Sequence, residues 1–270
     1  MSATVDGIDA HAHVFGPYAQ FPLPEGHAYS PGEASAEDYL ALLDGLGLAR
    51  GVCVQGSAHM LDNRALLAGI AHEPDRLRGI AVVRDSVAPE ELAVLARRGI
   101  VGLRFFGDGA TRYGGGVGIA AARSLEPAMR EHSLHAQLFA TCEELLPHAS
   151  WLAAATVPVV IDHYGRPDVD RGTTAPAFQS LLRLLAGERI WVKLSGSYRL
   201  GSPERVRAFH DALVATNPGR LLWGSDWPHV NFAGDIPSAA ELLSRFVEWT
   251  PDAAARKAIL ASNPAELFGF

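Results

Sequence analysis

His11 and His13 stand one residue apart in the run IDAHAHVFG, residues 8 to 16. Alternate side chains of a strand share a face, so this spacing turns both imidazoles the same way, with Asp9 behind them. A third histidine, His163, closes the apolar run VPVVIDH in phase with Val159 and Ile161, and Asp226 closes RLLWGSD. Arg104 lies in IVGLRFF, and Gln55 and Ser57 end the run that begins RGVCV. Lys193 and Ser195 lie in IWVKLSG, with Arg199 just beyond. Imidazole and carboxylate move protons or bind a metal, and arginine pairs with anions. Brought together, three histidines, one aspartate and two or three arginines make a site that polarises a carbonyl beside an anionic substrate.

These residues are far apart in the chain, so the fold must gather them. Eight short apolar, β-branched runs alternate with amphipathic helical stretches: GIDAHAHV, RGVCVQG, LRGIAVV, IVGLRFF, LHAQLFA, VPVVIDH, IWVKLSG and RLLWGSD. Helix punctuation supports the alternation. Ser35 with Asp38 forms a box-like N-cap, and Pro89 and Gly99 bracket APEELAVLAR. Eightfold strand-helix alternation predicts an α/β fold, a single TIM-type (β/α)₈ barrel of parallel strands over residues 1–270. Barrels of this kind keep their active site at the C-terminal ends of the strands, where each residue named above is expected. Two long loops fall on that face, 15–35 after strand one and the Gly-rich 107–118 after strand four.

The chain has 270 residues, 48% hydrophobic and 20% charged, with a net charge of -7. An acidic balance argues against nucleic acid as a partner. No apolar run reaches membrane-spanning length, and MSATVDGIDAHAH has no charged-then-apolar leader. Cys53 and Cys142 fit no zinc or redox spacing and read as buried, reduced thiols. The expectation is a cytoplasmic protein; nothing in the sequence reports its oligomeric state.

Other residues admit structural roles. A substrate carboxylate is one partner for Arg104; an internal bridge to Asp9 or Asp108 is another. Lys193 is either a base or a packed cation. His59 follows strand two and could line the site, and His27 and His229 stay open. His72, His132, His148 and His210 fall in helical patterns and are expected at the surface. His135 opens strand five, at the stability end of the barrel.

DAHAHVFGP, VVIDHYGRPDV and WGSDWPHVN, in that order, resemble the amidohydrolase superfamily. The branch they are similar to holds the 2-pyrone-4,6-dicarboxylate lactonases and related lactone hydrolases. The resemblance implies hydrolysis of a small anionic lactone. It makes Asp226 the group that activates water, with His11, His13 and His163 polarising the lactone carbonyl through N–H donors. It makes Tyr29, Ser57, Arg104, Arg199 and Asn231 the substrate contacts. Two positions depart from the pattern. Phe139 replaces a substrate-binding tyrosine of strand five, and a second arginine after strand four is missing at its usual offset, with Arg112, two residues later, the candidate replacement.

Zinc-using members of the superfamily add ligands on strands four and five. Here strand five offers Gln137 and Phe139, and strand four offers Arg104, a fixed positive charge. The favoured expectation is hydrolysis without a metal. A single Zn²⁺ or other divalent ion would sit on His11, His13, His163 and Asp226. A zinc-dependent sugar-acid lactonase, a lactone isomerase, a decarboxylase and a non-catalytic carboxylate binder are the competing classes.

Overall fold

The computed structural model describes residues 5–107 and 116–270. All eight expected strands form: β1 (Val5–Ala12), β2 (Leu48–Val54), β3 (Leu77–Ala81), β4 (Ile100–Phe106), β5 (His135–Phe139), β6 (Val159–Ile161), β7 (Ile190–Leu194) and β8 (Leu221–Trp223). They lie in sequence order in one sheet, and every neighbouring pair is parallel. A helix follows each strand, at 36–46, 64–72, 89–97, 119–131, 149–154, 176–185, 203–216 and 239–249. Ser35 and Asp38 make the reciprocal capping box, and Pro89 opens its helix. The architecture is a (β/α)₈ barrel.

Apolar side chains divide between two layers. Ile8, Ala10, Val52, Val54, Ile80, Val160, Trp191 and Leu222 fill the inside of the barrel, and Phe268 packs with them. Phe268 ends the helix at 263–268, which lies against β1 and β8 and plugs the N-terminal mouth. His135 packs on Phe268, ring centroids 5.5 Å apart, at the bottom as expected. The second layer lies between sheet and helices. His210, expected at the surface, is fully buried in it. Its ring bonds the Tyr164 hydroxyl and Thr250 Oγ1, so the helical period placed its polar atoms inside with partners.

β1 carries an extra residue against β2 at two places, between Val5 and Ile8 and between Asp9 and Ala12. Asp9 pairs with Gly51 and Ala12 with Cys53, three steps against two. Such a bulge reverses the facing of everything beyond it. Ile8 and Ala10 therefore point into the barrel, whereas Ala12 and Val14 join the layer beneath the helices. Asp9 is thus not behind the histidines. Its carboxylate accepts from the backbone of His11 and from the backbone and hydroxyl of Ser225, tying β1 to the end of β8. Asp226 N–H donates to His11 O and His13 N–H to Trp227 O, each at 2.8 Å.

Glycine is required at this seam. A Cβ on Gly224 would stand 2.8 Å from the His11 backbone nitrogen and 2.7 Å from its Cβ. Gly224→Ala is expected to force β1 and β8 apart at a cost of about 1–3 kcal/mol. A lower urea midpoint would register the loss, and an unchanged midpoint would show that the seam can yield.

Candidate active site

Four titratable side chains meet at the C-terminal mouth of the barrel. The Oδ1 of Asp226 lies 3.8 Å from His11 Nε2, 3.8 Å from His13 Nε2 and 4.0 Å from His163 Nε2. All four residues are buried. Asp226 sits beyond β8 at φ 61, and its other oxygen, Oδ2, accepts from Tyr198 Oη and Arg199 Nε, both at 2.6 Å. One oxygen is therefore anchored and the other faces the imidazoles. Burial alone would raise this carboxyl, but His163 and Arg199 outweigh it and hold the group below the ordinary carboxylate range.

The route of His163 to the site differs from the sequence expectation. In β6 the inward residue is Val160, whereas Val159 and Ile161 lie beneath the helices. Continued alternation would send Asp162 inward and His163 outward. The chain instead turns after β6, with His163 at φ 50, and both residues face the barrel centre. Asp162 went unrecognised because the apolar phase was assigned to the wrong residues.

Asp162 is the hub beneath the histidines. Its Oδ1 lies 3.3 Å from His11 Nδ1 and 3.8 Å from Lys193 Nζ. Its Oδ2 accepts from Arg104 Nη2 and Gln137 Nε2, each at 3.2 Å. Burial opposes its ionisation, but His11, Lys193 and Arg104 hold its pKa well below the usual value. The Arg104 bridge is thus internal, to Asp162 rather than Asp9; Asp108 lies outside the described residues. Lys193 is a packed cation, fully buried and donating to Gln137 Oε1 at 2.7 Å. Burial lowers its pKa to about 8.

The inner ring nitrogens decide what the outer ones present. His13 Nδ1 lies 2.8 Å from Val54 O, an acceptor only, so Nδ1 carries the proton. His11 Nδ1 faces the Asp162 carboxylate, while the short bond of Lys193 goes to Gln137. His163 Nδ1 pairs with Ser195 Oγ at 2.9 Å. Burial lowers all three pKa values, that of His13 to about 4, which keeps the rings neutral. His13 therefore offers an Nε2 lone pair rather than the expected N–H donor, while His11 Nδ1 stands between Asp162 Oδ1 at 3.3 Å and Lys193 Nζ at 3.4 Å. Among the described residues His11 Nε2 has no hydrogen-bond partner.

This donor set fits a divalent ion. Tetrahedral ligands roughly 2.1 Å from zinc stand about 3.4 Å apart, and the three imidazole nitrogens lie 3.8–4.0 Å from Asp226 Oδ1. Carboxylate and carbonyl acceptors behind the rings also orient metal-binding histidines. Among the described residues, two groups bring one ligand atom each within 4.8 Å of one another, His11 with His13 and Asp226, and His11 with Asp162 and His163.

Above these groups opens a pocket of about 530 Å³. Tyr29, Ser57, Arg104, Phe139, Arg199 and Asn231 line it with His13, His163 and Asp226, as the sequence leads one to expect. Tyr29 comes from the long first loop, with its hydroxyl 3.4 Å from Ser57 Oγ. Arg112 lies outside the described residues. Gln55 instead staples the following turn through Met60 O and Asp62 O. His59 stacks on Phe15, His229 supports Tyr198, and His27 bonds within the first loop. Arg166, Asp168 and Asp170 line the pocket without having been anticipated. His163, Arg166, Asp226 and Asn231 are pocket residues held at positive φ, a strained backbone of the kind that gathers at functional sites.

Asp162→Asn would leave Lys193 and Arg104 without their common counter-charge. Breaking a buried pair typically costs about 3–5 kcal/mol. Denaturant unfolding is expected to show a loss of that order, partly recovered by Lys193→Met in the same chain. Independent, additive losses would remove Asp162 from the centre of the network.

The amidohydrolase family profile matches residues 8–270. The chain is 36% identical to 4-sulfomuconolactone hydrolase of Rhizobium radiobacter, over 97% of this chain and 89% of that one. It is 31% identical to 2-pyrone-4,6-dicarboxylate hydrolase of Comamonas testosteroni, with the same coverage of 97% and 89%. A crystal structure from Acinetobacter baumannii, described as a probable 2-pyrone-4,6-dicarboxylic acid hydrolase with citric acid bound, superposes with a TM-score of 0.84. That match is 34% identical and covers 98% of this chain and 100% of the other. With its histidine pair, DH turn and strand-eight aspartate on one barrel mouth, this chain belongs to the amidohydrolase family.

Proposed function

We propose that this chain is a hydrolase that opens a small carboxylated lactone by addition of water. One observation carries the reading: a buried carboxylate oxygen faces three imidazole nitrogens at the floor of a pocket lined by arginines. The relatives support it, since two are named lactone hydrolases and the solved one holds a carboxylic acid.

In this mechanism the acidic groups of the lactone meet Arg104 and Arg199, with Tyr29, Ser57 and Asn231 fixing its orientation. The ring carbonyl lies over His11, His13 and His163. Asp226 Oδ1 accepts a proton from water as the water oxygen bonds the carbonyl carbon. Tyr198 and Arg199 hold Oδ2, so the carboxylate cannot rotate away from its task. The ring C–O bond then breaks, and Asp226 returns the proton to the departing oxygen. The product is an open acid with one new carboxyl group.

His11, His13, His163 and Asp226 would hold a single divalent ion, which when bound would polarise the lactone carbonyl and acidify water. This departs from the metal-free expectation. That expectation needs N–H donors, and His13 turns its own toward Val54.

On a panel of acid-bearing lactones, Asp226→Asn is expected to lower kcat by roughly 10²–10⁴. Near-parental turnover would reject Asp226 as the base. Oxygen from labelled water is expected in the product; its absence would point to an isomerase or decarboxylase. Elemental analysis is expected to find one divalent ion per chain, lost in His13→Ala. Full activity in a metal-free preparation would remove the ion from the mechanism.

A further inference from the structure

His229 takes no part in the reaction just described, yet its backbone and its ring both serve the residue at the centre of it. Its N–H donates to Asp226 O at 2.8 Å, which closes a turn soon after β8. Both ends of that turn are left-handed, Asp226 at φ 61 and His229 at φ 63. The turn sets the His229 imidazole against Tyr198, which comes from the loop after β7. The two rings meet edge-on with centroids 5.4 Å apart, and Phe232 meets Tyr198 in the same manner at 5.0 Å. Tyr198 itself is buried.

The direction of the hydrogens follows from the partners. Tyr198 Oη stands 2.6 Å from Asp226 Oδ2 and 3.3 Å from His229 Nδ1. A tyrosine has one hydroxyl hydrogen, and an ionised carboxylate only accepts. The shorter distance is that of an O–H···O⁻ bond, so the hydrogen lies on the line to Asp226. Tyr198 then presents a lone pair to His229, and Nδ1 must carry the hydrogen between them. Burial lowers the pKa of the ring, so it stands neutral with Nε2 bare. Burial and the neighbouring carboxylate push the Tyr198 hydroxyl well above its ordinary range, so it keeps its hydrogen. The result is a chain of two bonds with one direction, from His229 to Tyr198 to Asp226. A bond donated to a hydroxyl polarises it and strengthens the bond it gives onward. Arg199 Nε supplies the second donor to Oδ2. That oxygen is thus engaged twice, while Oδ1 faces the imidazoles.

We propose that His229 is a positioning residue that acts through Tyr198: its Nδ1–H keeps the hydroxyl hydrogen on Asp226 Oδ2 and so reserves Oδ1 for the attacking water. This deepens the lactone-hydrolase reading and rests on it for the reaction, though the hydrogen-bond chain itself does not. His229 acts at one remove. Arg199 grips the carboxylate directly, whereas the ring of His229 loses its effect on Oδ2 once the Tyr198 hydroxyl is gone.

The test begins with the parent chain and needs no substrate. Nitrogen NMR of isotope-labelled histidines, assigned by comparison with His229→Asn, is expected to show His229 with Nδ1 protonated and Nε2 bare. In Tyr198→Phe, which removes only the acceptor, much of that hydrogen is expected to move to Nε2. An Nε2–H tautomer in the parent, or a tautomer indifferent to Tyr198→Phe, overturns the proposal. Kinetics follow on the lactone that the parent opens fastest. His229→Phe keeps an aromatic ring and loses the donor, and kcat is expected to fall roughly tenfold with KM unchanged, about the effect of one hydrogen bond. His229→Asn tolerates the left-handed backbone and returns an amide N–H, and it is expected to recover most of that loss. In the Tyr198→Phe background, His229→Phe is expected to cost nothing further. Additive losses, or an equal fall in His229→Asn, would make His229 structural and overturn the proposal. If His229→Phe does not fold, the tautomer measurement decides alone. A chain with the Nδ1–H tautomer that opens no lactone would sink the hydrolase reading and leave the hydrogen-bond chain standing.

Discussion

Asp162 is fully buried beside two cations, Arg104 and Lys193, and beside the inner nitrogen of His11. Burying any one of these charges alone would cost several kcal/mol. Buried together, the one carboxylate offsets part of the charge of the two cations and fixes the middle of the barrel. Gln137 closes the arrangement, since its amide nitrogen serves Asp162 and its oxygen serves Lys193. Of the three imidazoles above, one takes its orientation from this layer, and the other two from Val54 O and Ser195 Oγ. His11 is aimed by Asp162, and Arg104 reaches the pocket wall only because its charge is already met below.

Electrostatics at the mouth then follow from burial and from what lies behind each ring. The histidines are kept neutral although a carboxylate stands among them. Asp226 stays ionised because Arg199 and His163 oppose the effect of burial. A neutral ring beside an ionised carboxylate presents electron pairs to the centre. It thus attracts a cation or an electrophilic carbon. The arginines lie farther up the wall, so the pocket separates a region for electrophiles at its floor from a region for anions above.

Barrel and strand count were legible because the apolar runs and capping residues repeat eight times, and that signal survives errors in any one element. Pocket residues on regular strand positions, such as Arg104 and Phe139, were legible for the same reason. The failures sit where the backbone leaves its period. The extra residues in β1 sent Asp9 to the outer side, and the left-handed turn after β6 brought Asp162 and His163 inward together. Neither a bulge nor a positive φ at a non-glycine residue leaves a mark in hydrophobic alternation. Arg166 was missed on the same account, since its direction depends on that turn. His210 was misplaced because its partners, Tyr164 and Thr250, come from distant segments that no local pattern connects to it.

The plug at the bottom of the barrel bears on how the chain reaches this structure. Ile8 and Ala10, near one end, complete their packing only with Leu222 and Phe268, near the other. During synthesis β1 emerges early and has β2 as a neighbour, but its opposite edge must wait for β8. Contacts of such sequence separation slow folding, and an open strand edge invites pairing with other chains. The sheet of this protein therefore stays unsealed until residues through 268 are available to close it.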